Sequence, residues 1–203
     1  MIRLVLFDVG NTIQEHTDIY AFCKRLDYND PVAMQEFFRM RVTGQYDLTI
    51  YPDPILRAVK EFTGTDKALD EIFQAFLDCR GKLDIQFIKA LKLCKDKALD
   101  TGLLTNVSGI YAPDNQIMAD YLNMDFLFQS CDIGMKKPYR EIYEYVEENT
   151  GYSKGEILFF DDLQENLVQP NKMGWKTVNI SIRSKESIAN VLCRIIEQDE
   201  KEL

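Results

Sequence analysis

The sequence predicts an α/β protein, a doubly wound parallel sheet with a helical lobe inserted after its first strand. Three observations carry this reading. The chain opens on a short apolar run, Met1 to Phe7, that ends in one carboxylate, Asp8, with the turn-forming Val9-Gly10-Asn11-Thr12 behind it. Four further strand-like runs follow, most of them separated by helical patterns, as in parallel sheets. Residues 15–84 break that alternation with several helix signals and no convincing strand.

The first run, rich in Leu, Val and Phe, reads as a strand buried on both faces. An acid at its carboxyl end falls in the crevice where open α/β sheets bind ligands, although Asp also starts many ordinary turns. Within the insert, Asp30-Pro31 and Asp53-Pro54 each pair an N-cap with an N1 proline, and Gly44 and Gly64 stand near the matching ends. Ile55, Val59 and Phe62 share one helical face, as do Leu69, Ile72, Phe73 and Phe76. Asp84 caps a helix running through Phe87, Ile88, Leu91 and Cys94. The later strands are Asp100–Thr105, Phe126–Gln129, Glu156–Phe160 and Trp175–Ile180. Pro138 is read as the N1 proline of a helix passing through Ile142 and Val146 to Gly151. Residues 1–14 and 85–203 then form the sheet domain. Residues 15–84 form a lobe over the sheet end that carries Asp8.

A chain of 203 residues can bury one good core and a small second lobe. Its 46% hydrophobic and 28% charged content is that of an ordinary soluble globule. A net charge of −9 argues against nucleic acid and anionic membranes as partners. No stretch approaches the roughly 20 apolar residues a spanning helix needs, and Asp8 interrupts the first run too early for an export signal. Five widely spaced cysteines without a C-x-x-C pair speak for reduced thiols and against a disulfide framework or zinc site. The expectation is a cytoplasmic protein, with no indication of oligomeric state.

The fourth strand also ends in acids, Asp161 and Asp162, which in a parallel sheet meet Asp8 at one edge. Taken alone, that pair reads equally well as a helix cap. Three carboxylates within ~4 Å repel by several kcal/mol at an effective dielectric near 20, so such a cluster wants a cation. Oxygen ligands, in a chain whose one histidine is His16, suit Mg²⁺. Thr105-Asn106 ends the second strand and offers a hydroxyl and backbone N–H groups to an anion. Lys137, held extended before Pro138 at a helix entrance, can reach the same anion.

With these residues in hand, the sequence resembles the haloacid dehalogenase-like (HAD) hydrolases. Four motifs carry the likeness: Phe7-Asp-Val-Gly-Asn-Thr12, Leu103-Leu-Thr-Asn106, Gly134-Met-Lys-Lys-Pro138, and Phe159-Phe-Asp-Asp162 with Asn166. The stretch from Gln129 to Ile180 looks especially like the bacterial sugar-phosphate phosphatase branch. The resemblance implies a three-layered Rossmann-like core, with residues 15–84 as the helical cap. It implies a Mg²⁺-dependent phosphatase acting on a small phosphorylated metabolite. Asp8 would be the nucleophile and Thr105 the hydroxyl donor to the phosphoryl group, while Lys137 would neutralise charge. Mg²⁺ would sit on Asp8, Asp162 and the Gly10 carbonyl, with Asp161 and Asn166 beside it. Asn106 would line the phosphate pocket through its backbone N–H.

The chain departs from the family pattern at Gly10, where most HAD phosphatases carry a second aspartate as general acid and base. General acid–base help is typically worth ~10²–10⁴ in rate, so its loss favours good leaving groups. Glu15 and His16 follow the motif, and an exposed hinge role is the better expectation for His16. Pro170 falls inside the helix expected after Asn166, where it kinks or delays it. Phe37, Phe38, Arg39, Arg41 and Tyr46 are cap residues near the Gly44 break; core packing and solvation are the stronger expectation for them. The alternatives are a metal-free 2-haloacid dehalogenase and a catalytically weak HAD-fold binding protein. A phospho-acceptor signalling domain places its acid pair after the first strand, the reverse of this order.

Overall fold

The structure, a computed structural model, describes residues 1–42 and 48–201. Its centre is a five-stranded parallel sheet in the order β3-β2-β1-β4-β5. The strands are β1 (Leu4–Phe7), β2 (Asp100–Thr105), β3 (Phe126–Gln129), β4 (Ile157–Asp161) and β5 (Lys176–Asn179). The parallel register sets Phe7 opposite both Leu103 and Phe160, so the strands that carry the candidate residues end at one level.

All four residues of β1 are buried, as a central strand requires. Alternate side chains serve opposite faces. Val5 and Phe7 pack with α5 (Ile85–Asp96), α6 (Ala112–Leu122) and α10 (Ile188–Lys201), through Phe87, Ala119 and Leu192 among others. Leu4 and Leu6 pack with α8 (Arg140–Thr150) and α9 (Gln164–Met173), through Ile142, Val146 and Leu167. The result is three layers, helices on both faces of the sheet. A short α7 (Ser130–Ile133) follows β3 directly.

Between β1 and α5 lie α1 (Ile19–Arg25), α2 (Pro31–Phe37), α3 (Asp53–Thr63) and α4 (Leu69–Leu77). They share an apolar cluster of their own, built on Phe22, Met34, Ile55, Val59, Ile72 and Phe76, which Ile110 joins from the sheet side. Asp30 caps α2 ahead of Pro31, and Gly64 ends α3 in the left-handed conformation (φ 66°), both as the sequence predicts. Asp53 is itself the first residue of α3, with Pro52 in the cap position. Gly44 and Tyr46, and the side chain of Arg41, lie outside the described residues.

The two connections to these helices run side by side. Glu15 N donates to Lys82 O (2.9 Å) and Asp84 N to Ile13 O (2.8 Å), and Gln14 bridges antiparallel to Leu83.

Two local expectations need correction. Pro138 does not open α8: the Lys137–Pro138 peptide is cis, and Tyr139 N donates to Lys136 O. That turn consumes the proline, so the helix starts at Arg140. Pro170 does not delay α9, which already begins at Gln164 and contains the proline near its end. Asp84 caps α5 as expected, accepting from Gln86 N at 3.0 Å. All five cysteines are free. Among the described residues, no helix is long and apolar enough to cross a membrane.

Candidate functional site

The sheet order reverses direction about β1 and β4, and the crevice outside their carboxyl ends is where such sheets bind ligands. Asp8 leaves β1 there, its backbone N–H bonded to Phe160 O at 2.8 Å. Asp161 is the last residue of β4 and Asp162 the next. One carboxylate oxygen from each of Asp8, Asp161 and Asp162 lies within 4.8 Å of the others.

Lys137 reaches this cluster from the loop before α8 and is only 2% exposed. Its Nζ donates to Asp8 Oδ1 (2.8 Å), Asp161 Oδ2 (2.6 Å) and Leu104 O (2.9 Å). All three ammonium protons are thereby used. Burial alone pulls the Lys137 pKa down, but Asp8 and Asp161 outweigh it and raise it. Burial pushes the Asp8 carboxyl up to about 6 against the pull of Lys137, and Asp161 and Asp162 add to the rise.

Asp161 is wholly buried and spoken for. Its Oδ1 accepts from Leu163 N (2.8 Å) and Asn166 Nδ2 (3.1 Å), while Oδ2 holds Lys137. Such saturation suits a support, not a direct ligand. Asp162 is less buried, and its Oδ2 accepts from Asn11 Nδ2 at 2.7 Å. Among the described residues, Asp8 Oδ2 has only a long contact, 3.5 Å, with the Thr12 hydroxyl. One ammonium there, Lys137, meets two of the three acids and none meets Asp162, which leaves negative charge in excess among hard oxygen donors. That chemistry fits Mg²⁺.

Next to the carboxylates opens a cavity of about 540 Å³. Gly10, Thr105, Asn106 and Asp162 line it from the sheet, and Phe38 and Arg39 from the inserted helices. Phe37 is packed into the lobe instead, against Phe62 at 4.5 Å between ring centroids. His16 is exposed and also borders the cavity. A Cβ built on Gly10 would lie 3.5 Å from His16 Cε1, so the imidazole flanks the place where a side chain at position 10 would project. Glu15 also borders the cavity, and its carboxylate accepts from Lys82 N at 3.3 Å at the hinge.

A family model for haloacid dehalogenase-like hydrolases matches residues 2–167. The chain belongs to that family. The D-ribitol-5-phosphate phosphatase of Bacteroides thetaiotaomicron is 23% identical over 198 residues, covering 87% of this chain and 91% of its own. Bifunctional epoxide hydrolase 2 of Rattus norvegicus is 28% identical over 116 residues, 55% of this chain. The match spans 21%, about a fifth, of that longer relative. Among solved structures, a HAD family enzyme of Bacteroides thetaiotaomicron in complex with magnesium and inorganic phosphate superposes with a TM-score of 0.77. It is 19% identical and the match covers 94% of this chain and 99% of that one, a likeness of fold.

In this HAD-like hydrolase two asparagines do more than the sequence suggested. The Asn106 side chain clasps the Lys137 backbone, donating to its O (2.7 Å) and accepting from its N (2.8 Å). Asn11, at φ 56°, tethers Asp162. A left-handed position directly after a glycine favours Asn, which is the one local signal available for it.

Proposed function

We propose that this enzyme is a Mg²⁺-dependent phosphatase for a small phosphate monoester, a sugar phosphate among the candidates, working through an aspartyl phosphate on Asp8. The observation that carries this is the lopsided Asp8 carboxylate. Its Oδ1 is fixed by Lys137, while Oδ2 has only the long Thr12 contact among the described residues and is available as nucleophile.

Asp8, Asp162 and the Gly10 carbonyl would hold Mg²⁺, with Asp161 and Asn166 beside it, and the ion would supply charge neutralisation at the phosphoryl oxygens. Thr105 and the Asn106 N–H would hydrogen-bond those oxygens, and Lys137 would offset their charge. Asp8 Oδ2 forms the new P–O bond as the ester P–O bond breaks and the alcohol leaves. Water then attacks the aspartyl phosphate, releasing inorganic phosphate and restoring the carboxylate. With Gly10 where an acid would stand, the departing alkoxide takes its proton from solvent. Residues 15–84 would act as the cap, closing the cavity over the ester. The net charge of −9 and the absence of a spanning helix among the described residues support a cytoplasmic enzyme of soluble metabolites.

The acid cluster speaks against metal-free dehalogenation, and Gly10 is the one feature that favours a weak or inactive binding protein. A phosphate-release screen over sugar, acyl and aryl phosphates, with Mg²⁺ and with EDTA, separates these readings. Release that needs Mg²⁺ and is lost in Asp8→Asn, checked for deamidation, is the expected result. Halide release from 2-haloacids in EDTA, or no turnover despite Mg²⁺ binding, would overturn it.

A further inference from the structure

We infer that Arg80 and Ser108 form a carboxylate subsite in the cavity, so that the preferred substrate is a phosphate ester whose other end carries an acid. This deepens the phosphatase reading above and rests on it.

The cavity of about 540 Å³ is of a size that encloses a whole small ligand, so its wall beyond the phosphoryl position meets the rest of the ester. Two buried atoms in residues of that wall, Arg80 Nη1 and Ser108 Oγ, have no hydrogen-bond partner among the described residues. Buried polar groups are nearly always paired, so two orphans on one cavity call for a partner that the chain does not supply. They come from different segments. Arg80 lies where the chain returns from the lobe, and Ser108 lies in the loop that leaves β2 after Thr105 and Asn106. Tyr111 links them: the Arg80 guanidinium stacks on its ring, Cζ 4.8 Å from the centroid, and its N–H donates to Ser108 O at 2.9 Å.

Arg80 is held in place but not neutralised. Its Nη2 donates to Gln14 Oε1 (3.1 Å) and, at the long limit, to Asn115 Oδ1 (3.5 Å). Nη1 lies 3.3 Å from Asp114 Oδ2 without the geometry of a hydrogen bond. The Asp114 side chain is 31% exposed and does not line the cavity, so solvent takes up part of its charge. Burial lowers the Arg80 pKa against the pull of Asp114, as befits a cation short of counter-charge. Turning the guanidinium toward the cavity breaks no bond at Nη1.

A carboxylate supplies what both orphans lack. A guanidinium only donates, a hydroxyl can donate, and an ionised carboxylate only accepts, in charge-assisted bonds roughly twice as strong as neutral ones. One partly compensated cation suits a single negative charge better than a dianionic phosphoryl group. Of the acids that border the cavity, Asp162 would face Mg²⁺ and Glu15 is engaged by Lys82 N. Arg39 is the weaker seat for an anion, because its side chain is 68% exposed and already forked onto Glu36 at 2.9 and 2.6 Å.

The test compares esters whose far carbon is either a carboxylate or CH₂OH, at several lengths: 3-phosphoglycerate with glycerol 3-phosphate, 4-phosphoerythronate with erythritol 4-phosphate, and 6-phosphogluconate with sorbitol 6-phosphate. At the length that reaches Arg80, wild-type protein should favour the acid over its alcohol by about tenfold or more in kcat/KM. Calorimetric Kd values on Asp8→Asn with Mg²⁺ should show the same preference without turnover. Arg80→Gln should lower it by about tenfold, and Arg80→Lys, which keeps the charge and loses the fork, should retain part of it. Ser108→Ala removes one unpaired oxygen and no charge, and should lower it by about threefold; it decides alone if Arg80→Gln fails to fold. Acid-selective binding without hydrolysis of any ester refutes the phosphatase reading and leaves the subsite standing. No acid favoured at any length, or a preference untouched by these variants, overturns the subsite alone.

Discussion

Asn106 and Lys137 are joined by a reciprocal pair of hydrogen bonds, 2.7 and 2.8 Å, between one carboxamide and one peptide backbone. The pair ties the end of β2 to the loop that delivers the buried ammonium. Asn106 therefore sets where Lys137 stands. Asn106→Ala is expected to lower kcat by about 10–100-fold, as losses of positioning partners do. Asn106→Asp, which still accepts from Lys137 N but cannot donate to its O, should fall between. Steady-state kinetics on one aryl phosphate decide the order; equal kcat in all three proteins would remove Asn106 from this role.

Lys137 is the only cation in contact with Asp8 and Asp161 among the described residues. Removing it leaves two buried carboxylates facing each other. Lys137→Met is expected to destabilise the metal-free protein by about 3–5 kcal/mol near pH 8. The loss should shrink near pH 5, where Asp8 takes up a proton. Urea unfolding at the two pH values measures this, and a pH-independent loss would contradict the pairing.

The strand ends made Asp8, Asp161 and Asp162 readable as neighbours, because a parallel register brings the carboxyl ends of β1 and β4 to one edge whatever the loops do. Asn106 and Asn11 were not readable in their supporting roles. Their partners lie 31 and 151 residues away, and a short amide after a strand carries no periodic signal. Pro138 misled for a related reason: a proline fits a turn as well as a helix start, and the Tyr139–Lys136 bond that decides between them is tertiary detail. The Arg80–Asp114 pair was equally invisible, since it joins the segment that returns from the lobe to α6.

Asp8 should make the metal-free protein pH-sensitive. Its carboxyl titrates at about 6 in the fold, above the aspartate value of about 3.9 in an unfolded chain. Protonation therefore favours the folded state. The Asp8 contribution is fully present below about pH 4 and is lost as pH rises through about 6. Asp8→Asn, neutral throughout, should gain about 2 kcal/mol on wild type between pH 4 and pH 7.5. Unfolding curves across that range test it, and Mg²⁺ should restore the wild type at the upper end. A constant difference between the two proteins would refute the assignment.

Gly81 sits where the two connections to the inserted helices touch. A Cβ there would lie 2.0 Å from Glu15 O, a backbone atom that cannot swing aside. Gly81→Ala must push the paired segments apart, at an expected cost of at least about 2 kcal/mol. Because those segments hang the lobe over the cavity, KM should rise as well. Thermal unfolding with KM for one phosphate ester reads both effects. A variant as stable as wild type would mean that the connections part freely.

Gly10 has no such obstruction. A Cβ there meets His16 Cε1 at 3.5 Å, ordinary van der Waals contact, and its φ is outside the left-handed region. Gly10→Asp is therefore expected to fold, with the imidazole turning aside, and to keep the backbone carbonyl proposed for Mg²⁺. The new carboxyl would border the cavity beside Asp162 and supply the proton that solvent now gives the departing alcohol. General acid help of this kind is worth ~10²–10⁴ where it is fully aligned, and a gain of about tenfold on alkyl phosphates is expected from an unrefined placement. Aryl phosphates, whose leaving groups need little protonation, should gain less. A leaving-group series on both proteins makes the comparison: wild type should slow steeply as alcohol pKa rises, and Gly10→Asp should flatten that slope. Identical slopes would mean that proton donation is already provided, with His16 the nearest group to examine by His16→Gln.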